Sequence, residues 1–410
     1  MMGTFINVRQ ACKSLVSVRV LCLWGWAKFR CQVYACESKL PKSFITIYSL
    51  IMKSFDIARL RLHNQRLSTT TFKNPADVVG WLGAVQSQDY AGAKWALGQR
   101  IKNATDDAIE QAFNAGAILR THVMRPTWHF VKPKDIRWML ALTAPRILAL
   151  SATYFRKLEL DNAIFKRSNT VLTKALQGGK QLTRAELMSV LKQNGIASDD
   201  LLRFTYLIVY AELEGVICSG ARRGKQFTYA LLDERAPHTR TPERDEALAE
   251  LAKRYFVSHG PATLQDFGWW SGLTVSDARK GLDSLRSKLI SEVENGQTYW
   301  FADPAPTKVP TPSVYLLPNY DEYTVGYADR SAIFDTQHNE KLDSRGNFLF
   351  NHVVVINGRV VGTWKRTLKK SEVVIELAPF RKLTKVESRA IADAAERYGK
   401  FLGLSVSLTL

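Results

Sequence analysis

Two glutamines, Gln86 and Gln88, stand two residues apart where an apolar stretch of the sequence ends, and Asp89 and Tyr90 follow directly. An amide is a poor general base because it carries no charge near neutral pH. Its carbonyl oxygen still accepts hydrogen bonds, so it can orient a water molecule. Water positioned in this way can break only a bond whose leaving group is already activated.

The same residues also have a purely structural interpretation. Asp89 is a residue type that caps helices, and both glutamines could simply be exposed. Apolar residues at helical spacing predict a helix over 76–86, and similar patterns predict helices over 91–100 and 106–114. The polar run then lies at a helix end, where its side chains are solvated, cap a helix or face a ligand.

The charge balance indicates the kind of partner. The 410 residues include 57 Lys and Arg against 38 Asp and Glu, a formal net charge of +19. Such a surface attracts polyanions, either nucleic acid or an anionic membrane, although a generally basic solvated surface would give the same count. A hydrophobic content of 46% is ordinary for a globular protein. The length predicts about two to four domains.

Residues 1–51 differ from the rest of the chain. They carry seven basic residues and one acidic residue, Glu37, and four of the five cysteines. Their apolar stretches are too short and too charged to span a bilayer, and they lack a convincing secretory signal. Because Met52 opens a stretch that looks like a natural start, we interpret residues 1–51 as an artefactual upstream extension, with a targeting peptide as the second interpretation.

The cysteines do not form a metal or redox motif. No Cys-x-x-Cys pair is present, so zinc-ribbon and redox sites are unsupported. The sequence also lacks a phosphate-binding glycine loop, and we expect a protein without a cofactor. Cys218 is the one cysteine beyond the first 36 residues, which fits a reducing compartment.

Helices followed by a hairpin are predicted three times along the chain. Asn295-Gly296 is a strong signal for the turn of the third hairpin. Thr183 and Glu186 form a capping box that opens the second unit, and Thr274 has a capping position in the third. This order predicts an α+β protein with three tandem winged helix-turn-helix units. The predicted hairpin strands are 117–123 with 127–131, 216–220 with 227–231, and 289–293 with 298–301.

A proline-rich linker at 302–313 precedes the C-terminal region. There we expect a β-barrel-like domain closed by a helix at 385–402. Its predicted strands are 314–317, 323–326, 350–357, 359–364 and 372–378. The predicted domains are 52–145, 146–240 and 241–305 for the three winged helices and 306–410 for the C-terminal β-rich domain.

Several motifs together resemble a known family. They are Gln86-Ser87-Gln88, Leu119-Arg120-Thr121-His122, Arg125-Pro126-Thr127-Trp128-His129-Phe130-Val131 and Leu317-Pro318-Asn319-Tyr320-Asp321-Glu322-Tyr323. They resemble the AlkZ/YcaQ-type winged-helix DNA glycosylases over most of the chain after about residue 52. The Gln-x-Gln spacing is similar to the AlkZ-like branch rather than to the Gln-x-Asp branch.

The resemblance implies a monofunctional DNA glycosylase that hydrolyses the N-glycosidic bond of alkylated or cross-linked purines. Such a purine is cationic, so its glycosidic bond is weak, and a correctly placed water with electrostatic support is sufficient. Gln86 and Gln88 match the family's catalytic glutamines, and their implied role is to hold that water. Asp89 could assist electrostatically, but we expect it to be a cap.

The implied partner is double-stranded DNA, without membrane contact. The sequence has no heptad run, which favours a monomer, and we expect a cytoplasmic, nucleoid-associated protein. Winged helices place a helix in the major groove and wing residues on the DNA backbone. The residues that could contact DNA or support the site are Asp89, Tyr90, Arg120, His122, Arg125, His129, Arg222, Arg223, Lys225, Lys365 and Arg366.

Each of these groups has a structural alternative. The basic clusters could be solvated loops. For His122 and His129, apolar neighbours favour a structural role in which the ring nitrogens have hydrogen-bond partners. Four tryptophans could stack on bases, but their apolar contexts favour core packing. They are Trp95, Trp128, Trp269 and Trp270.

A non-catalytic DNA-binding regulator built on the same units is the alternative function. The Gln-x-Gln run argues against it, because a regulator has no use for paired amides at a helix end. A scaffold for a protein partner is a weaker hypothesis, since a net charge of +19 does not suit that role.

Overall fold

Capping residues start the first four helices that the structure describes. The computed structural model describes residues 56–302, 311–342 and 348–409, so the interpretation of residues 1–51 lies outside the described residues. Asp56, Asn74, Asp89 and Thr105 each accept a hydrogen bond from a backbone N–H of the first turn, as N-cap residues do. The helices are α1 (Ile57–Asn64), α2 (Pro75–Leu82), α3 (Tyr90–Gly98) and α4 (Asp106–Asn114).

The first hairpin is confirmed, and a short strand joins it. β2 (Leu119–Val123) pairs with β3 (Thr127–Val131), and β3 also pairs with β1 (Val85–Gln86). The prediction of one helix over 76–86 is therefore wrong at its end. Gly83 follows α2 with φ of +85°, a conformation that favours glycine. The helix stops there, and Gln86 lies in a strand.

The second unit contains the predicted capping box, with Thr183 and Glu186 bonded reciprocally. The helices are α5 (Pro133–Lys157), α6 (Asn162–Leu176), α7 (Arg184–Gln193), α8 (Leu201–Leu213) and α9 (Leu232–Arg235), and the strands are β4 (Leu182–Thr183), β5 (Ile217–Ser219) and β6 (Thr228–Leu231). Three of these helices, α5, α6 and α9, were not predicted. The predicted hairpin of β5 and β6 is confirmed, and β4 extends the sheet in the order β4-β6-β5.

The third hairpin is also confirmed. Asn295 and Gly296 both have positive φ, as their turn requires, and Thr274 caps its helix. The helices of this unit are α10 (Arg244–Ser258), α11 (Leu264–Ser271) and α12 (Val275–Asp283), and its strands are β7 (Ile290–Glu294) and β8 (Gln297–Phe301).

The C-terminal strands form an open sheet that corresponds to half of a barrel. The strands are β9 (Val314–Leu317), β10 (Val353–Ile356), β11 (Arg359–Leu368), β12 (Glu372–Pro379) and β13 (Ser405–Thr409), and the helices are α13 (Glu322–Val325) and α14 (Lys385–Leu402). The sheet order is β13-β12-β11-β10-β9, and of these neighbours only β12 and β13 are parallel. The predicted strand over 323–326 is wrong, because Asp321 caps the short helix α13 there.

One hydrophobic cluster joins the helices before β2 to the C-terminal sheet. Val79 and Phe113 belong to the same buried cluster as Leu316 and Trp364. Trp95 also donates a hydrogen bond from Nε1 to the carbonyl of Leu316, at 2.7 Å. The two regions therefore hold each other in place. Of the helices in the described ranges, none has the length and apolar composition that a membrane span requires.

A buried ion pair connects the segment just after α3 to the start of α13. Arg100 Nη1 and Nη2 donate to the two carboxylate oxygens of Asp321, each at 2.9 Å, and both side chains are buried. A buried pair of this kind is sensitive to loss of one partner, because the remaining charge stays desolvated.

We expect Asp321→Ala to lower the free energy of unfolding by about 3–5 kcal/mol, because it leaves the Arg100 guanidinium buried without its counterion. Urea denaturation measures this loss. Asp199→Ala is the matched control, since the Lys192–Asp199 pair has side chains 65% and 71% exposed. That change should cost less than about 1 kcal/mol. Equal losses in the two variants would contradict the prediction.

Candidate active site

Strand pairing fixes the position of Gln86. Gln86 lies opposite His129 on β3, and His129 lies opposite Thr121 on β2. Directly paired residues share one face of a sheet, so these three side chains form a row across it. The Gln86 side chain is 6% exposed, so the expectation of two exposed glutamines is wrong for this residue.

A buried carboxylate holds the backbone of Gln86. Glu322 Oε1 accepts the N–H of Gln86 at 2.8 Å, and Oε2 accepts the indole N–H of Trp270 at 2.9 Å. His259 Nε2 lies 3.2 Å from the same Oε2. Burial alone would raise the pKa of Glu322, but the hydrogen bonds from His259 and Gln86 hold the pKa below its usual value. Glu322 is therefore an ionised carboxylate inside the protein.

Arg125 holds the side chain of Gln86. Its Nη2 donates to Gln86 Oε1 at 3.1 Å, and its Nη1 donates to the carbonyl of Val325 at 3.4 Å. Burial lowers the pKa of Arg125 and the charge of Glu322 opposes that effect. A guanidinium remains protonated in either case. Because an amide oxygen has two lone pairs, Gln86 Oε1 can accept one further hydrogen bond.

The turn that carries Arg125 rests on the end of α11. A side chain at Gly272 would place its Cβ 2.6 Å from the carbonyl oxygen of Met124. Gly272 also has φ of +69°, where glycine is favoured. The backbone of the β2–β3 turn therefore approaches α11 closely only because residue 272 is glycine.

The histidine opposite Gln86 is neutral. Burial, and next the charge of Arg125, lower the pKa of His129 to about 4. Its Nδ1 lies 2.9 Å from the carbonyl of Thr127, so Nδ1 carries the proton. Nε2 has no hydrogen-bond partner in the described residues, and neither does Thr121 Oγ1 in the same row. These atoms can bond to a water beside Gln86.

Gln88 lies beyond the strand and is exposed. Between the glutamines, the N–H of Ser87 donates to the carbonyl of Trp128 at 2.8 Å. Asp89 accepts the N–H of Gly92 at 3.0 Å and caps α3, which confirms the expectation that it is a cap. Tyr90 donates to Glu110 at 3.0 Å and its ring packs edge-to-face against neighbouring aromatic rings.

Both predicted basic clusters reach the start of α3. The Arg222 guanidinium lies 4.9 Å from the centre of the Tyr90 ring, and Arg366 Nη2 lies 3.9 Å from Asp89 Oδ2. Arg120 Nε donates to the carbonyl of Ser87 at 3.2 Å. Residues on β2, the β5–β6 loop and β11 thus meet around the glutamines.

The other predicted residues lie further out or within the core. Lys225 and Lys365 are exposed, and Arg223 is paired with Glu186 at 2.7 Å. His122 is buried against the carboxylate of Glu212, as expected for a structural histidine.

The sequence reasoning missed Glu322, His259 and Trp270 as supports of the site. Glu322 belongs to the Leu317–Tyr323 motif that carries the family resemblance. That motif was the only signal for it, because nothing in the local pattern links it to Gln86.

The family that the sequence motifs resemble can now be compared with the whole chain. The model of the AlkZ-like family, DNA glycosylase AlkZ-like, matches residues 79–401, and the chain belongs to this family. The prediction of a DNA N-glycosylase, a hydrolase, is confirmed, and the non-catalytic regulator is not favoured.

Similar proteins cover most of the chain. The interstrand DNA cross-link repair glycosylase of Streptomyces sahachiroi is 26% identical over 361 residues, which cover 84% of this chain and 95% of the relative. The solved structure of Streptomyces sahachiroi DNA glycosylase AlkZ superimposes with a TM-score of 0.70 at 23% identity. The match covers 86% of this chain and 98% of the AlkZ chain. This likeness confirms the mixed α+β fold.

The neutral state of His129 predicts how stability depends on pH. The folded protein keeps this imidazole unprotonated down to a pKa of about 4, whereas the unfolded chain takes up the proton near 6.5. Stability from this residue is therefore complete above 6.5 and is lost as the pH falls toward 4. The loss is about 1.4 kcal/mol per pH unit.

Urea denaturation at several pH values tests this dependence. His129→Gln should flatten the fall of the free energy of unfolding in this pH range. His238→Gln, at a side chain that is 74% exposed, is the control and should leave the fall unchanged. The same pH dependence in the His129 variant and the parent protein would contradict the prediction.

Proposed function

We propose that this glycosylase excises alkylated or cross-linked purines from double-stranded DNA, and that Gln86 and Gln88 hold the attacking water. The observation that carries this proposal is the fixed amide of Gln86, whose oxygen is held by Arg125 at 3.1 Å and keeps one lone pair for a further donor. The name of the Streptomyces sahachiroi relative, an interstrand DNA cross-link repair glycosylase, supports the same class of substrate.

The charges around Gln86 suit departure of a cationic purine. The sugar becomes positively charged in the transition state, so additional positive charge nearby would oppose the reaction. Glu322 is ionised and offsets the charge of Arg125, while burial keeps His129 and His259 neutral. Glu322 therefore offsets the charge of the arginine that holds Gln86, and the two buried histidines add no charge.

A lyase reaction through a lysine is less well supported. Lys94 is the lysine close to the Gln-x-Gln run in sequence, and a Schiff base requires its free amine. Its Nζ already donates to Asp106 at 2.7 Å and to Glu110 at 2.8 Å, so two carboxylates engage it. Monofunctional hydrolysis is the activity that this arrangement favours.

DNA binding is proposed to use three tandem winged helices, within the boundaries 52–145, 146–240 and 241–305. Each of these ranges contains helices followed by an antiparallel hairpin. The C-terminal range 306–410 adds β11. We propose a monomer at the nucleoid. Arg120 is 7% exposed and donates to the carbonyl of Ser87, so it supports the site from within. The contacts to DNA are proposed to come from Arg222, Arg223, Lys225, Lys365 and Arg366.

Incubation with three duplexes tests the proposed substrate. One carries N7-methylguanine, one carries a purine–purine interstrand cross-link and one is undamaged. Abasic sites are then cleaved by alkali and the strands are separated. We expect cleavage at the lesion in the first two duplexes and none in the third. Intact strands from both damaged duplexes would contradict the proposed substrate class.

Variants of the two glutamines test the proposed water site. Gln88→Ala should slow excision by roughly 10²-fold, the scale of losing one oriented contact in a transition state. The melting temperature of this variant should hardly change, because the Gln88 side chain is exposed. Gln86→Ala should slow excision similarly, and it should also cost about 1–3 kcal/mol of stability by removing the acceptor of a buried guanidinium.

Two controls separate catalysis from folding. Gln193→Ala removes an exposed amide from the end of α7 and should leave excision unchanged. Asp89→Ala should cost about 1 kcal/mol of stability as a lost cap, while most activity remains. Full excision by the Gln86/Gln88 double alanine variant would refute the proposed role of the glutamines.

A further inference from the structure

Two consecutive tryptophans of α11 have opposite environments. Trp270 is fully buried and donates to Glu322, whereas Trp269 is 42% exposed. Trp269 still has its indole N–H satisfied, because Nε1 donates to the carbonyl of Val325 at 3.0 Å. That carbonyl also accepts from Arg125, which holds Gln86. An exposed and fixed indole therefore lies next to the Gln86 site.

Two arginines flank this indole. The guanidinium carbon of Arg125 lies 5.4 Å from the centre of the Trp269 ring, and that of Arg330 lies 5.5 Å from it. Arg330 Nε donates to the carbonyl of Thr324 at 2.8 Å, and Nη1 donates to that of Ala328 at 3.1 Å. The arginine side chains are thus held near the ring by backbone carbonyls.

Arg330 has no ion pair with a carboxylate in the described residues, whereas the charge of Glu322 acts on Arg125. Arg125 Nε and Arg330 Nη2 have no hydrogen-bond partner in the described residues. Asp266 is near Arg330, but its oxygens already accept from Arg61 and from the N–H groups of Thr263 and Ala328. Burial, and next the charge of Arg125, lower the pKa of Arg330 to about 10. An incoming anion would relieve both effects.

From this arrangement we infer that Trp269 and Arg330 form a subsite for the DNA nucleotide next to the excised base. A base has a flat π face that stacks on an indole, and a phosphodiester provides the anion that the guanidinium lacks. The bond from Arg330 to Ala328 is exposed to solvent, so exchanging it for a phosphate costs little. Arg125 contributes charge to the subsite while its own donors hold Gln86 and Val325.

The subsite deepens the proposed function, since its role depends on excision taking place at Gln86. The stacked base would fix the strand on one side of the target nucleotide. Trp269 is therefore a positioning residue for the reaction, and its loss should affect lesion excision more than binding to undamaged duplex.

Stacking is tested by single-turnover excision from a duplex carrying N7-methylguanine. Trp269→Ala should lower the rate by roughly 10-fold, within the range for losing one base–aromatic stack, and Trp269→Phe should keep most of it. Trp81→Phe is the matched control. Trp81 also donates to a backbone carbonyl, that of Asn64, and also contacts an arginine, Arg66. Its variant should excise at the parent rate.

Phosphate binding by Arg330 is tested by the salt dependence of affinity. The probe is a duplex with a tetrahydrofuran abasic-site analogue, which needs no catalysis, so this result does not depend on whether the glutamines are catalytic. Arg330→Gln should reduce the slope of log K against log salt by about 0.9, the value for one lost phosphate contact. Arg330→Lys should retain the slope, because it keeps the charge.

Thermal melting of each variant shows whether a slower excision or a smaller salt slope comes from misfolding. A folded Arg330→Gln with an unchanged salt slope, or a folded Trp269→Ala with the parent excision rate, would overturn the subsite. If Trp269→Ala does not fold, Trp269→Leu replaces it and must show the same loss of rate. Loss of excision in the glutamine variants has no bearing on the salt slope.

Discussion

A fully buried carboxylate must be matched by donors, and Glu322 sets this requirement for the whole site. Its partners come from three different parts of the fold: the N–H of Gln86 on β1, the indole of Trp270 on α11 and the imidazole of His259 at the end of α10. Each is held at hydrogen-bond distance, since an unmatched buried charge costs far more than an ordinary hydrogen bond contributes. The strand with Gln86 is therefore tied to helices that follow it by more than a hundred residues.

Most of the polar groups around Glu322 have hydrogen-bond partners. Gln65 at the end of α1 donates to the backbone carbonyl of Glu322 at 3.1 Å, and its own side-chain oxygen accepts from Arg100 at 2.9 Å. Arg100 in turn holds Asp321, the residue before Glu322. Such a network rigidifies a site when every member has its partner. It places the Gln86 amide on a strand with fixed neighbours instead of a loose loop.

Local patterns in the sequence located the three hairpins because turn chemistry and β-branched runs are decided by neighbouring residues, as at Asn295-Gly296. The apolar pattern before Gln86 was misjudged, since the positive φ of Gly83 ends the helix earlier than the periodicity indicates. Glu322 could not be found in this way. It lies 236 positions from Gln86, and only tertiary packing brings the two together. The residues around Glu322 also read as a strand, whereas the cap at Asp321 makes them a helix.

The two glutamines share their chemistry but differ in how far folding has already ordered them. Gln86 is paired in a strand and hydrogen-bonded to the Arg125 guanidinium, so its side chain lost rotamer freedom when the chain folded. Gln88 is exposed beyond the last pair of that strand. Fixing a long side chain of this type costs up to about 2 kcal/mol of conformational entropy. In the proposed mechanism Gln86 is therefore preorganised, whereas ordering Gln88 on DNA would subtract from the free energy of binding.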